Sequence, residues 1–193
     1  MQIKNLALRE VMNLPNIITL SRIVMIPVMI FCYYSWPADN AHYIAAWVFM
    51  IASITDFFDG YLARKLNQST PLGAFLDPVA DKLSVIIALS LLIEHYATIL
   101  LTIPAIIIIG REVIISALRE WMAELGQSAE VAVSYIGKVK TFLQMSSITM
   151  VMGFAEDHWM GILGMIGLYA AAILTVWSMV QYLRAAWPQL TAK

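Results

Sequence analysis

The sequence is poor in charged residues. Only 13% of its 193 residues are Asp, Glu, Lys or Arg, whereas soluble domains carry about 25%. Hydrophobic residues make up 61% of the chain, and its mean hydropathy is +0.76. Because so few charges cannot cover a surface in water, the composition predicts a membrane protein rather than a soluble domain with a large core.

Cysteine is nearly absent as well. The single Cys32 excludes an intrachain disulfide, and its position in an apolar run predicts a packing role. The formal net charge of −1 gives no sign of a nucleic-acid partner, and we expect none. The histidines have no second set of ligands beside them in the sequence, so we expect no metal site there.

Long apolar runs dominate the chain instead. Six segments of about 20 residues are long enough to cross a bilayer. They are residues 16–36, 41–63, 75–95, 98–118, 132–153 and 159–183. Because backbone groups in lipid must hydrogen-bond within their own segment, all six should be helices. The sequence therefore predicts an all-α, polytopic membrane protein, with residues 1–193 as one domain and a six-helix bundle over 16–183.

A short helix is predicted before the first span, over residues 1–14. Its apolar residues recur at helical spacing: Ile3, Leu6, Ala7, Val11 and Leu14. Lys4, Asn5 and Arg9 lie away from that stripe. This pattern is typical of an amphipathic helix that lies on the membrane surface. An ordinary soluble cap helix is the alternative.

Lys and Arg are distributed unevenly along the chain. With six spans and the N-terminus inside, all twelve fall on or near the cytoplasmic side. The three opposite loops carry acidic residues and His95 but no Lys or Arg. By the positive-inside rule, both termini should be cytoplasmic. In a bacterium the protein would then reside in the inner membrane.

Four aspartates are concentrated near one end of the second and third spans. Asp56 and Asp59 are three residues apart, and Asp77 and Asp81 are four apart, so each pair shares a helix face. The second span enters the cytoplasmic interface and the third leaves it, which lets the four carboxylates converge. Like charges in a low-dielectric site are costly, and divalent cations offset that cost. Carboxylate ligands suit Mg²⁺ or Mn²⁺.

Other interpretations of the aspartates remain at this point. A single pair near a helix end is often only solvated, and intramembrane acids also serve proton relays and ion pathways. A pathway would place acids across the depth of the bilayer, however, and these gather on one side beside Arg64, a side chain suited to phosphate.

The start of the third helix is also predicted from the sequence. Thr70 should be its N-cap and Pro71 its first residue, and Pro78 should remove one of its backbone hydrogen bonds.

The spacing D-x2-D-G-x2-A-R-x8-G-x3-D-x3-D resembles the signature of the CDP-alcohol phosphotransferases. Its eight positions are Asp56, Asp59, Gly60, Ala63, Arg64, Gly73, Asp77 and Asp81. The resemblance covers essentially the whole chain. The stretches NLPNIITLSRIVMIP, REVIISALREWMAELG and YIGKVKT are similar to bacterial members that use CDP-diacylglycerol and glycerol 3-phosphate.

The resemblance implies a six-helix, commonly homodimeric membrane enzyme with two divalent cations, Mg²⁺ or Mn²⁺, and a cytoplasmic active site. It implies that Asp56 and Asp77 bridge both ions, that Asp59 binds the first, and that Asp81 binds the second and acts as general base. The residues implied at the CDP-diacylglycerol site are Asn16, Thr19, Arg22, Gly60, Ala63, Arg64, Thr70 and Gly73. Membrane lipids should contact the spans, and the diacylglycerol tails require an opening to lipid.

An anionic acceptor needs further cations. Arg111, Lys138 and Lys140 lie toward the cytoplasmic ends of the fourth and fifth spans, and Thr141 could add a hydroxyl contact. Together with the resemblance, they are the candidates for the acceptor phosphate. Alternatively, Arg111 forms a simple ion pair with Glu112, and Lys138 does no more than extend its ammonium group to the membrane–water interface. The signature itself also fits enzymes that use other acceptors, such as inositol phosphate, serine, choline or another phospholipid. An ion or solute transporter is the alternative from a different class of protein.

Overall fold

The computed structural model describes residues 14–35, 42–55, 70–124 and 135–191. Six helices lie in these ranges and no strand does. They are α1 Leu14–Ser35, α2 His42–Thr55, α3 Pro71–Tyr96, α4 Ile99–Glu124, α5 Tyr135–Gly153 and α6 Trp159–Thr191. The all-α prediction is confirmed. The predicted surface helix lies, except for Leu14, outside the described residues.

Three of these helices are long and apolar enough to cross a membrane. They cover Asn16–Ser35, Ile99–Glu124 and Trp159–Trp187. Each contains at least 20 residues with a mean hydropathy of at least 1.9 in its most apolar stretch, and about 20 apolar residues span the hydrocarbon core. The protein is therefore a membrane protein. The other three predicted spans are helical where they are described, and their crossing of the membrane remains a prediction.

Several helices extend beyond the predicted spans. α3 begins at Pro71 instead of 75, α4 continues to Glu124, and α6 continues to Thr191. α6 has 33 residues, which corresponds to about 50 Å at 1.5 Å per residue and exceeds the hydrocarbon thickness of about 30 Å. Hydropathy marks only the apolar part of a helix, whereas the backbone hydrogen bonds continue into the polar interface.

The described residues form two compact units. The first contains the described residues up to Ala88 together with Met152–Phe154. Its core contains Met29 on α1, Phe49 on α2 and Ala80 on α3, all almost completely buried. Of these helices, α1 and α3, with Thr70 just before α3, carry the described part of the predicted nucleotide and metal sites.

The second unit contains Leu89–Val151 and the described residues from Ala155 onward. In it α4 packs against α6, and the Tyr169 hydroxyl donates a hydrogen bond of 2.8 Å to the Leu100 carbonyl. α5 approaches α6 closely at Gly164, where an added Cβ would lie 2.8 Å from the Cβ of Met150. Only glycine permits this approach, as is common where membrane helices meet.

Large apolar side chains also cover much of the outer surface. Phe31, Phe142 and Ile173 are 65%, 76% and 68% exposed. Soluble monomers rarely expose large continuous apolar patches. Within the described helices, this exposure fits side chains that face lipid.

Candidate functional site

The first turn of α3 is organised by Thr70. Pro71 is the first residue of the helix, where proline's missing N–H costs nothing. Thr70 precedes it, and its Oγ1 accepts a 3.1 Å hydrogen bond from the backbone N–H of Gly73. This is the N-cap contact predicted from the sequence, and it satisfies one of the free N–H groups at the start of the helix.

The same hydroxyl joins α3 to α1. Thr70 Oγ1 donates a 2.9 Å hydrogen bond to the side-chain oxygen of Asn16, a residue that is only 1% exposed. A Cβ on Gly73 would lie 2.5 Å from that Asn16 oxygen and 3.2 Å from Thr70 Oγ1. Gly73 is therefore needed because of close approach. Three residues predicted to bind CDP-diacylglycerol thus lie together, although 54 residues separate Asn16 from Thr70.

A buried polar face on α1 leads to the aspartates. Asn16, Thr19 and Arg22 are at most 3% exposed, although the helix is otherwise apolar. Polar side chains buried in a membrane helix usually serve a site. A guanidinium N–H of Arg22 donates to the carboxylate of Asp77, forming a salt bridge between α1 and α3.

Asp77 and Asp81 are one turn apart on α3, as their spacing predicted. The Asp77 side chain remains 46% exposed beside the buried Arg22, so its carboxylate is still accessible to a ligand. The accessible carboxylate of Asp77 is a hard oxygen donor, which suits Mg²⁺ or Mn²⁺, and Asp81 lies on the same helix face. The other residues predicted at this site lie outside the described ranges: Asp56, Asp59, Gly60, Ala63 and Arg64.

The second unit brings two of the predicted acceptor cations together. Arg111 Nη1 donates to Glu112 Oε1 at 3.0 Å, and Lys140 Nζ donates to the same oxygen at 3.1 Å. The side chains of Arg111, Glu112 and Lys140 are 11%, 16% and 6% exposed. The Arg111–Glu112 ion pair, which the sequence analysis gave as the alternative to an acceptor role for Arg111, is present. Lys140 from α5 extends it into a largely buried cluster of three charges.

Two residues on α6 complete this cluster, and the sequence analysis did not identify them. Arg111 Nη2 donates a 3.1 Å hydrogen bond to the Ser178 hydroxyl. Tyr182 lies one turn further, with its ring centroid 6.0 Å from the guanidinium carbon of Arg111 and 5.1 Å from that of Arg119. Arg119 also donates to the Tyr182 hydroxyl at 2.7 Å. Polar residues four apart in an apolar span were the available signal.

The structure shows less about the other two acceptor candidates, Lys138 and Thr141. Lys138 lies on α5, but its side chain is outside the description. Thr141 is exposed, and its hydroxyl donates to the backbone carbonyl of Gly137 in its own helix at 3.0 Å. Their participation in acceptor binding stays a prediction.

The chain matches one family profile over most of its length. The profile is described as CDP-alcohol phosphatidyltransferase, and it covers residues 12–177. The chain belongs to this family. The resemblance stated from the aspartate signature is thereby confirmed.

Several curated proteins similar to this chain come from bacteria. A protein from Haemophilus influenzae is 51% identical over 174 residues, which cover 90% of this chain and 93% of the relative. Proteins from Escherichia coli K12 and Shigella flexneri are 50% identical over 174 residues, covering 90% of this chain and 94% of each relative. All three are named CDP-diacylglycerol–glycerol-3-phosphate 3-phosphatidyltransferase.

Two buried polar atoms lie on α5 and α6. Gln144 Oε1 on α5 and Thr175 Oγ1 on α6 are buried and have no hydrogen-bond partner among the described residues. Gln144 follows Lys140 by one turn, and Thr175 precedes Ser178 by one turn. Buried polar atoms are usually hydrogen-bonded, so these two atoms are exceptions within the described residues.

Proposed function

We propose that this protein transfers the phosphatidyl group of CDP-diacylglycerol to sn-glycerol 3-phosphate. The products would be phosphatidylglycerophosphate and CMP, which would make the protein a phosphatidylglycerophosphate synthase in phospholipid biosynthesis. The observation that carries this proposal is the 50–51% identity, across 90% of the chain, to bacterial enzymes with that activity in their names.

The donor site of this proposal lies on α1 and α3. Asn16, Thr19, Thr70 and Gly73 would contact the CDP portion, together with the signature residues outside the described ranges. The contact between Thr70 and Asn16 supports this assignment because it holds polar groups from two helices at one position. Arg22 would contribute positive charge near the diphosphate and also hold the Asp77 carboxylate in place.

Asp56, Asp59, Asp77 and Asp81 would hold two divalent cations. When bound, Mg²⁺ or Mn²⁺ neutralises diphosphate charge and stabilises the departing CMP oxygen. The glycerol 3-phosphate hydroxyl attacks the phosphorus that carries diacylglycerol, the bond between that phosphorus and the CMP oxygen breaks, and Asp81 accepts the hydroxyl proton. Phosphoryl-type transfer depends mainly on positioning and electrostatics. The transfer of the hydroxyl proton requires a carboxylate within hydrogen-bond reach of that hydroxyl.

The acceptor phosphate would bind the cations of the second unit. Arg111 and Lys140 offer N–H donors from two helices to one anion. Arginine and lysine are the usual phosphate partners in proteins. Lys138 and Thr141 would supplement them. A phosphorylated acceptor matches this charge better than serine or choline does.

The location follows from the distribution of basic residues. We place the protein in the inner membrane of a bacterium, with both termini and the active site cytoplasmic. The six predicted spans and a homodimeric assembly belong to the same proposal.

The proposal is tested by measuring CMP release from purified protein in detergent. CDP-diacylglycerol and Mg²⁺ are supplied with glycerol 3-phosphate, inositol phosphate, serine or no acceptor. We expect release only with glycerol 3-phosphate, and none after removal of divalent cations with a chelator. Release with another acceptor, and not with glycerol 3-phosphate, contradicts the proposed specificity.

A further inference from the structure

Glu112 lies between the two cations of the candidate acceptor site. One of its oxygens, Oε1, accepts hydrogen bonds from both Arg111 and Lys140, which belong to different helices. Both cationic side chains are about nine-tenths buried. A buried charge is costly unless an opposite charge pairs with it. Glu112 therefore supplies the anion that these cations need while no acceptor is bound.

The acceptor phosphate takes no part in the bond changes of the proposed reaction. Glycerol 3-phosphate carries it in, and the lipid product carries it out as the same phosphate monoester. Contacts to this phosphate therefore hold substrate and product alike. Such uniform binding lowers KM without accelerating the chemical step. If the cations had no internal partner, tight binding would also slow the departure of the product.

We infer that Glu112 is an internal competitor of the acceptor phosphate. Its carboxylate releases Arg111 and Lys140 to the incoming phosphate and pairs with them again as the product leaves. Arg111, Glu112 and Lys140 together carry a formal charge of +1, whereas the two cations alone would carry +2. Glu112 is thus a positioning residue that limits phosphate affinity. The inference rests on the proposed function, because it requires that these cations bind the acceptor phosphate.

The direct test is Glu112→Gln, which keeps the size of the side chain and removes its charge. Loss of the competitor should lower both the KM for glycerol 3-phosphate and the inhibition constant of inorganic phosphate, each by at least about fivefold, the lower end of typical coupling between two ligands. The KM for CDP-diacylglycerol should change little. kcat should fall, with a burst of CMP in the first turnover, because product release becomes slower.

The matched control is Glu120→Gln. Glu120 lies two turns further along α4 and is exposed, so the same change of charge there should leave all of these constants unaltered. Unchanged or raised constants in Glu112→Gln overturn the inference. If that variant does not fold, Glu112→Asp replaces it, because a side chain shorter by one methylene weakens both contacts and should lower the constants to a smaller extent. A rise in Glu112→Asp also overturns the inference.

A second variant separates competition from a purely structural role. Lys140→Met removes one of the two cations while keeping a side chain of similar length. In that background Glu112→Gln should have a smaller effect on phosphate inhibition, because the two residues act through the same contact. Equal effects in both backgrounds overturn the inference. Inhibition by inorganic phosphate can be measured with any acceptor that supports CMP release. A wrong acceptor assignment would show in which acceptor releases CMP, whereas a wrong role for Glu112 would show in the phosphate inhibition constant.

Discussion

The Asp77 carboxylate is both paired and accessible. It accepts a hydrogen bond from Arg22, which is almost fully buried, yet nearly half of its own side chain remains exposed. A neighbouring cation offsets the repulsion that a carboxylate meets from other acids nearby. Arg22 therefore holds Asp77 in an orientation that suits the proposed metal site.

Asp81 offers the sharpest test at the scale of single residues. Asp81→Asn removes the proposed proton acceptor and a metal ligand, so turnover should fall by at least about 100-fold, as expected for loss of a general base. CDP-diacylglycerol binding should remain substantial, because the buried face on α1 and Thr70 is intact. CMP release in single turnovers and equilibrium binding of the CDP lipid measure the two effects. Turnover similar to the wild type would remove Asp81 from this role.

The sequence analysis assigned the residues around Asp77 to the site, but it did not predict which of them contact one another. Asn16, Thr19 and Arg22 were assigned to the nucleotide through family resemblance. Nothing in their spacing pairs Arg22 with Asp77, which lies 55 residues away. Such pairings depend on how α1 and α3 pack, and local periodicity contains no information about that packing.

The start of α3 combines local and tertiary interactions at the scale of an element. Thr70 caps the helix through Gly73 N–H and also donates to Asn16. The cap was predictable, because threonine followed by proline is typical of a helix start. The second contact requires α1 to lie beside it, and only the folded structure reveals it.

Thr70→Val should remove both interactions while keeping the branched shape of the side chain. We expect a loss of about 1–2 kcal/mol in stability, from the lost cap and the lost hydrogen bond between Thr70 and Asn16. Thermal unfolding in detergent measures this loss, and the KM for CDP-diacylglycerol should rise as well. Thr70→Ser keeps the hydroxyl and should behave nearly like the wild type. Equal stability of the valine and serine variants would show that the hydroxyl contributes nothing.

The start of α5 illustrates where sequence patterns are insufficient. Lys140 and Thr141 are neighbours and were grouped as one acceptor site. Lys140 is buried against Glu112, while Thr141 is exposed and bonded to its own helix. Successive residues on a helix point about 100° apart, so packing decides which of them faces a partner helix.

Three long apolar helices and an exposed apolar surface characterise the molecule as a whole. Hydropathy predicted this membrane character correctly, because it follows from composition and helix length alone. Polar helix extensions were missed: α4 and α6 continue past the predicted ends of their spans. These extensions matter, since Arg119 lies just past the predicted end of the fourth span and Tyr182 near that of the sixth.

The predicted topology can be tested with single cysteines in a Cys32→Ala background. Glu124→Cys marks the end of α4, and Glu156→Cys marks the exposed connection between α5 and α6. By the positive-inside rule, a membrane-impermeant maleimide should label Glu156→Cys in right-side-out vesicles and Glu124→Cys only in inverted vesicles. The opposite labelling pattern would reverse the proposed orientation. CMP release by both variants serves as the control for folding.

The sequence alone determined that this is a helical membrane protein of the CDP-alcohol family, because apolar length and the spacing of four aspartates are local properties of the chain. It also identified Thr70 as a cap and Arg111 and Lys140 as candidate cations. Only the tertiary structure decided that Arg22 pairs with Asp77, that Thr70 bonds to Asn16, and that Lys140 bonds to Glu112. These contacts join residues on different helices, and their geometry depends on packing rather than on periodicity.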